Sequence, residues 1–491
     1  MSGKRFLLFV LLAINSVLTL TSASVEIKIF FTTDTHAVFY SPSGGWLKLA
    51  GLIKEQTADR SDCLLIDCGD TMQGNIEGAF DRGRAAIKTL NHLKFDVWVV
   101  GNHDTEFGFK ALRKRIKEFN GFCLAGNLFI PDGQEQLSGV KIFERKGLKI
   151  AVIGLTLPNM QDDVRLPSSL AGKSEGIIES LNRIIPKLRP AKPDIIILAM
   201  HCDKFRSGFS IYELSRQFPE IALILGGHSH QSSPGENIGS SWYVQTSSYA
   251  QELGKIIIAF DPKKQRIIQI KSELLPIPPD ATVDKELNKL LSHDLRQVNV
   301  FKKQIVGKAK TTIAGYDENR RFAHPAGMLT AKSMIAATGA QAALLSMNST
   351  YELRGDISEL DIFRIMPYEN TVAVIDVTIP ELELILKEQI ANSRKYYTPV
   401  FYGFKVEFNP QNSAIKISRH DSGKITSPIK LALTNYLLIS RRFPELQKIA
   451  ARQPLQQLPS EEPLLRDCMR NWIRNNSPLT PDNGEWLTII K

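Results

Sequence analysis

The chain is poor in cysteine, with five in 491 residues: Cys63, Cys68, Cys123, Cys202 and Cys468. None forms a Cys-x-x-Cys pair, and an odd, sparse set excludes a disulfide scaffold. An oxidising compartment would still allow one bridge among them. Beyond the N-terminus no stretch reaches the ~20 apolar residues that a membrane span requires. There is no Lys/Arg-rich tract and no nucleic-acid-binding motif. The excess of 61 Lys and Arg over 51 Asp and Glu, +10 in all, therefore points to small anionic ligands rather than to nucleic acid. Internal repeats and low-complexity tracts are also missing. A hydrophobic fraction of 43% with 23% charged residues excludes wholesale disorder, collagen-like repeats and coiled coil. The length exceeds one compact domain and predicts two or three, with sizeable cores.

What is present begins with residues 1–24. Lys4 and Arg5 precede an apolar run from Phe6 to Leu20, broken only by Asn15, Ser16 and Thr19, and Thr21-Ser22-Ala23-Ser24 supplies small residues for cleavage. This reads as a secretory signal rather than a membrane anchor, because the run is too short to span. No cysteine follows it to carry a lipid. The expected location is periplasmic or secreted, and the mature chain loses Lys4 and Arg5 and carries +8 instead of +10.

Residues 25–275 alternate β-rich runs with helical patterns. Strands are predicted at Val25–Thr33, Cys63–Ile66, Asp96–Val100, Lys149–Thr156, Asp194–Met200 and Ile221–Leu225, with helices between several of them, such as Trp46–Glu55 and Arg84–Leu93. Consecutive strands follow at Trp242–Thr246, Lys255–Phe260 and Ile267–Leu274. The alternation predicts an α/β layered domain. Pro276, Pro278 and Pro279 then punctuate a linker, 276–303, with a polar bridging helix over Val283–Lys303. Residues 304–491 read as a second, smaller α/β unit. It has helices at Pro325–Thr338, Pro380–Ser393 and Glu461–Asn475, and strands at Thr371–Thr378, Phe401–Phe408 and Ile415–Arg419.

Five of the nine histidines fall in motifs that directly follow the predicted strands. The motifs are Asp34-Thr35-His36, Gly69-Asp70, Gly101-Asn102-His103-Asp104, His201 and Gly227-His228-Ser229-His230. Ligand groups in α/β sheets gather beyond the carboxyl ends of the strands, so these would converge on one crevice. Carboxylate, imidazole and amide oxygen together suit Mn, Zn, Fe or Co rather than calcium. The donors are too many for one tetrahedral ion and suit two divalent ions sharing a carboxylate, ~3.5–4 Å apart.

Asp-x-His, Gly-Asp, Gly-Asn-His-Asp, His and Gly-His-x-His, in that order, resemble the calcineurin-like metallophosphoesterases. Flanks such as Gly44-Gly45-Trp46-Leu47, Leu65-Ile66-Asp67-Cys68-Gly69-Asp70 with Gln73-Gly74, Asn91-His92-Leu93-Lys94-Phe95-Asp96 and Leu253-Gly254-Lys255-Ile256 are similar to the 5'-nucleotidase family within them. The resemblance implies a four-layer metallophosphoesterase α/β sandwich joined by a helix to a smaller C-terminal substrate domain. Carried over by motif, one ion would be held by Asp34, His36 and His230, the other by Asn102, His201 and His228, with Asp70 bridging. His103 would leave the metals alone and contact the phosphoryl group. Glu106 would orient it, in a position where the family usually carries the shorter Asp, which predicts a working but less rigid dyad. Asp104 is expected to play a local structural role. Cys202 departs from the usual small residue beside His201 and reads as a buried filler.

In the resembled nucleotidases the C-terminal domain binds the nucleotide between two aromatic rings and meets its phosphate with arginines. Arg321-Phe322 matches the first expected segment. Asn348 and Arg354 match the ends of an Asn-Gly-Gly-Gly-Ile-Arg segment whose glycines are replaced here. Tyr368, in Pro367-Tyr368-Glu369-Asn370, stands where Phe is usual in Pro-Phe-Gly-Asn. Phe443 is the candidate second ring, but the glycine loop that would position it is gone. The expected substrate is a nucleoside 5'-monophosphate. UDP-sugars and 2',3'-cyclic nucleotides are alternatives on the same metals, and a non-catalytic nucleotide-binding protein is the alternative of another class. Hydrolysis of thiol conjugates, as in thiosulfate oxidation, fits less well because Asn102 is the ordinary phosphoesterase ligand.

Overall fold

The computed structural model describes residues 24–130, 137–159, 173–206, 209–318, 322–393, 397–419, 423–440, 442–453, 456–457, 464–484 and 486–490. The signal segment expected over 1–24, apart from Ser24, and Arg321 lie outside them. Among the described residues no helix is long and apolar enough to cross a membrane.

The first half contains two six-stranded sheets. In one, the strands Val25–Thr32, Cys63–Asp67, Val97–Val99 and Phe122–Leu124 run parallel, with Glu252–Asp261 and Arg266–Pro276 added antiparallel at one edge. In the other, Leu148–Leu155, Ile195–Met200, Leu223–Leu225 and Trp242–Gln245 are parallel, flanked by antiparallel Val140–Arg145 and Ser233–Asn237. Side chains alternate across a strand, so each parallel strand buries two faces in two different cores. Ile27, Ile29, Leu64, Ile66, Ile150, Val152, Ile195 and Ile197 fill the space between the sheets. Phe30, Leu65, Ile153 and Leu198 instead face outward, under helices such as Trp46–Gln56, Arg84–Leu93 and Ile177–Leu188. The result is a helix–sheet–sheet–helix sandwich.

The linker helix, Lys285–Lys302, begins at Asp284, whose side chain accepts from the Leu287 amide at 2.7 Å. Its acidic residues are paired with cations of the first domain. Lys54 meets Asp284 and Glu286, while Asp294 accepts from Arg84 at 2.7 Å and Lys88 at 2.6 Å. Leu287, Leu291 and Leu295 join the core of the first half, so the helix is part of that domain's outer layer as well as a bridge.

The second half is built on a five-stranded sheet in the order Pro399–Tyr402, Ala342–Ser346, Ile429–Thr434, Val372–Val377 and Gln456–Gln457. Helices Pro325–Thr338 and Leu465–Asn476 share one core with it. The single strand expected at Phe401–Phe408 is two strands, Pro399–Tyr402 and Lys405–Asn409, in different sheets. Gly403 breaks it: its φ is +124°, and a Cβ there would come within 2.4 Å of the Gln341 carbonyl.

Candidate metal centre and substrate face

Each expected ligand leaves the carboxyl end of a parallel strand. Asp34 and His36 follow Val25–Thr32, Asp70 follows Cys63–Asp67, and Asn102 follows Val97–Val99. His201 follows Ile195–Met200, and His228 and His230 follow Leu223–Leu225. Five of these seven sit in left-handed backbone: Asp34, His36, Asp70, His228 and His230, with φ from 51° to 74°. Asp and His tolerate that region better than most residues, but it still needs support. Backbone bonds supply it, from the Asp34 amide to Gly69 O, from the His36 amide to Asp70 O, and from the Tyr249 amide to Asp34 O, at 2.7–2.8 Å.

Donor atoms of Asp34, His36 and His230 lie within 4.8 Å of one another, as do those of Asp70, His201 and His228. The Asn102 Oδ1 joins the second group, 3.2 Å from His201 Nε2 and 3.0 Å from His228 Nδ1. His36 donates from Nδ1 to the Gln73 carbonyl at 2.7 Å, and His201 from Nδ1 to the Cys68 carbonyl at 2.8 Å. Each therefore points its Nε2 inward. His36 Nε2 and His230 Nε2 are 3.0 Å apart, the separation of two nitrogens bound at about 2.1 Å to one ion. Burial opposes charge on Asp70, yet His201, His103 and His36 hold its carboxyl well below the usual range. Burial likewise opposes protonation of His201, but Asp70 and Asp34 raise it to about 10. Two carboxylates, four imidazoles and an amide oxygen, buried and mutually dependent on positive charge, fit divalent cations. A third cluster, His92, Asp284 and Glu286, differs because the Lys54 ammonium already sits on both carboxylates.

His103 donates from Nδ1 to Glu106 Oε1 at 2.7 Å, and its Nε2 lies 4.0 Å from Asp70 Oδ2. The Glu106 side chain is 2% exposed, so the extra methylene is packed away. Asp104, buried behind the rim, accepts the amides of Asp70, Thr71, Met72 and Gly101 at 2.8–3.1 Å. One carboxylate thus ties the Gly69-Asp70 turn to the Gly101-Asn102 turn. Gly74 packs against His36: its φ is +146°, and a Cβ would fall 2.5 Å from the ring. Cys202 is fully buried.

The expected substrate residues divide. Tyr368 is 36% exposed on a loop that reaches the first domain, where Gln73 Nε2 donates to the Pro367 carbonyl at 3.3 Å. Asn348 and Arg354 line a separate open cleft of about 810 Å³ with Tyr351, Glu352 and Arg364, and Arg354 is paired with Glu352. Phe443 requires correction as a base-stacking ring. It is 0% exposed, its ring centroid is 4.9 Å from that of Tyr397, and it belongs to the core with Leu437 and Leu446. With no face open, it cannot stack on a ligand in this structure.

Residues 27–232 match the family model of calcineurin-like phosphoesterases, and residues 305–442 match that of the 5'-nucleotidase C-terminal domain. The chain belongs to the 5'-nucleotidase family of calcineurin-like metallophosphoesterases. It is a metal-dependent phosphoester hydrolase. Protein UshA of Escherichia coli is 24% identical over 418 residues, covering 73% of this chain and 75% of its own length. Among solved structures, a Staphylococcus aureus protein with bound alpha-ketoglutarate superposes with TM-score 0.77 at 17% identity, over 95% of this chain and 100% of its own. A Thermus thermophilus 5'-nucleotidase precursor gives 0.65, also at 17%, over 95% and 99%.

Three residues of this nucleotidase-family chain that touch the metal rim or the expected substrate segments have no motif to announce them. Tyr249 is 42% exposed, with its ring 5.5 Å from both His36 and His230. Burial raises its phenol pKa, and Asp34 and Tyr368 nearby raise it further. Arg364 stacks on Tyr351 in the open cleft. Arg466, nearly a hundred residues from the Tyr368 loop, binds that loop directly. Only Tyr249 carried a usable signal, as an aromatic residue just beyond the predicted strand Trp242–Thr246.

Proposed function

We propose that the chain hydrolyses nucleoside 5'-monophosphates to nucleoside and phosphate outside the cytoplasm. The observation that carries this reading is the pairing of two donor clusters with a His103–Glu106 dyad at one rim, overlooked by the Tyr368 loop of the second domain. Asp34, His36 and His230 would hold one divalent ion, and Asn102, His201 and His228 another, with Asp70 contributing its carboxylate to the pair. Bound there, the two ions supply Lewis acidity toward the phosphoryl oxygens and a water nucleophile at neutral pH. The chain does the rest. Glu106 keeps the His103 proton on Nδ1, so that Nε2 is presented to the substrate and, when protonated, stabilises charge growing on the phosphoryl group. Asp104 holds the two ligand turns at a fixed spacing. Tyr368 offers a ring face to the base.

The buried Phe443 and the lost glycine segments favour a second reading on the same centre, in which UDP-sugars or 2',3'-cyclic nucleotides are the esters cleaved. The test is hydrolysis by the mature chain with added Mn²⁺, read as phosphate release from 5'-AMP, ATP and an aryl phosphate and as nucleoside monophosphate formed from UDP-glucose and a 2',3'-cyclic nucleotide. Preference for 5'-AMP is the expected result. Activity on the aryl ester alone would overturn the nucleotide assignment while leaving the metal centre intact.

A further inference from the structure

The loop that carries Tyr368 is held by one side chain from the far end of the sequence. Arg466 stands in the first turn of the helix Leu465–Asn476, whose Leu465, Cys468, Met469 and Ile473 are buried in the second domain's core. Its Nη1 donates to the Met366 carbonyl at 3.1 Å and the Tyr368 carbonyl at 2.9 Å. Its Nη2 meets the Glu369 carboxylate, and its guanidinium lies 5.0 Å from the Phe363 ring centre. The two charged side chains are 8% and 4% exposed. The adjoining Leu465 amide donates to the Asn370 carbonyl at 2.7 Å, so the helix start grips both ends of the loop.

A buried carboxylate needs an opposite charge or several hydrogen-bond donors around it. Glu369 stands where the resembled segment has glycine, and it lies close enough to feel the charge of Glu106, the partner of His103. An arginine fork can hold two carbonyls and a carboxylate in one plane, whereas a lysine cannot. The other side of the same loop faces the metal rim, through Pro367 on Gln73 and through the exposed Tyr368 ring.

We propose that Arg466 is a positioning residue which, with Glu369, fixes the Tyr368 loop over the metal rim and so sets how tightly the leaving group of the ester is held. The inference rests on the reading that Tyr368 meets the substrate. The experiment uses the full metal-loaded chain with Arg466→Met, and with Arg466→Met/Glu369→Leu, which removes both buried charges together and protects folding. Backbone hydrogen exchange over residues 366–371 should accelerate by about tenfold or more, the loss of one charged hydrogen bond, while the segments bearing the metal ligands stay unchanged. KM for 5'-AMP should rise by about tenfold, with bound metal unchanged and kcat/KM on an aryl phosphate within about twofold. Arg466→Lys should recover only part of the loss. Unchanged exchange in 366–371, or equal losses on both esters, would overturn the positioning role. If the unmodified chain does not cleave 5'-AMP, the nucleotide reading fails on its own, and the exchange measurement still decides whether Arg466 orders the loop.

Discussion

At the metal rim, five of seven candidate ligands are held in left-handed backbone by bonds from neighbouring turns. Across the cleft, the substrate residues expected from sequence are dispersed. Tyr368 reaches the rim, Arg354 is exposed and paired with Glu352, and Phe443 is sealed in the core. The first region is over-determined. Strain of about 1–2 kcal/mol per left-handed residue persists only because Asp104, Gly74 and the crossing backbone bonds leave those residues no alternative. The second region is a surface, and its geometry hangs on a few side chains that can be exchanged without unmaking the fold. A hydrolytic centre can therefore stay constant while the ester it receives changes.

The contrast can be broken most severely at Asp70. Asp70→Ala should lose bound metal, measured by elemental analysis, and lower turnover by roughly 10³-fold or more. Phe443→Ala and Tyr368→Ala form the next contrast. The first should destabilise the chain by about 3–5 kcal/mol in denaturant titration. The second should leave stability within about 1 kcal/mol but raise KM for 5'-AMP by about tenfold, through loss of one stacking face. If Phe443→Ala shifted KM with stability unchanged, its assignment to the core would be wrong. Gly74→Ala should lower metal affinity by about 10–100-fold, because the new methyl displaces His36; an unaltered metal titration would show that His36 is not so confined.

A further effect lies away from the cleft, at His324. This buried residue caps the helix Pro325–Thr338: Nδ1 accepts from the Gly327 amide at 3.1 Å, and Nε2 donates to the Met347 carbonyl at 3.2 Å. Burial lowers its pKa from 6.5 to about 4. The unfolded chain thus binds the proton more readily. Stability from this group is full above pH 6.5 and is lost as pH falls toward 4, by about 3 kcal/mol. His324→Asn retains a capping side chain and should flatten the stability profile between pH 6.5 and 4. A slope that survives the substitution would assign it to another group.

Local pattern explains which parts were legible in the sequence. The strands of the sandwich are short apolar runs with polar residues at their ends, and the motifs begin where the runs stop, so strand ends and candidate ligands could be read together. The helix at Lys285–Lys302 announced itself by leucine spacing, but its docking on Lys54, Arg84 and Lys88 did not, because those partners lie about 200 residues away. For the same reason Asp104 revealed nothing of its four amide partners, nor Arg466 of its loop. Phe443 was misplaced because an aromatic residue after a degraded glycine motif looks the same whether it faces ligand or core. Pro399–Asn409 misled because one apolar stretch serves two sheets, with Gly403 at the corner.

The central claim is that metal binding and phosphoryl contact are separate duties of adjacent residues, and His103→Ala tests it most directly. Bound metal and turnover would be measured on the same preparation. The account predicts the metal content of the unmodified chain with turnover down by about 10²–10⁴-fold. Loss of metal from His103→Ala equal to that from Asp70→Ala would contradict it.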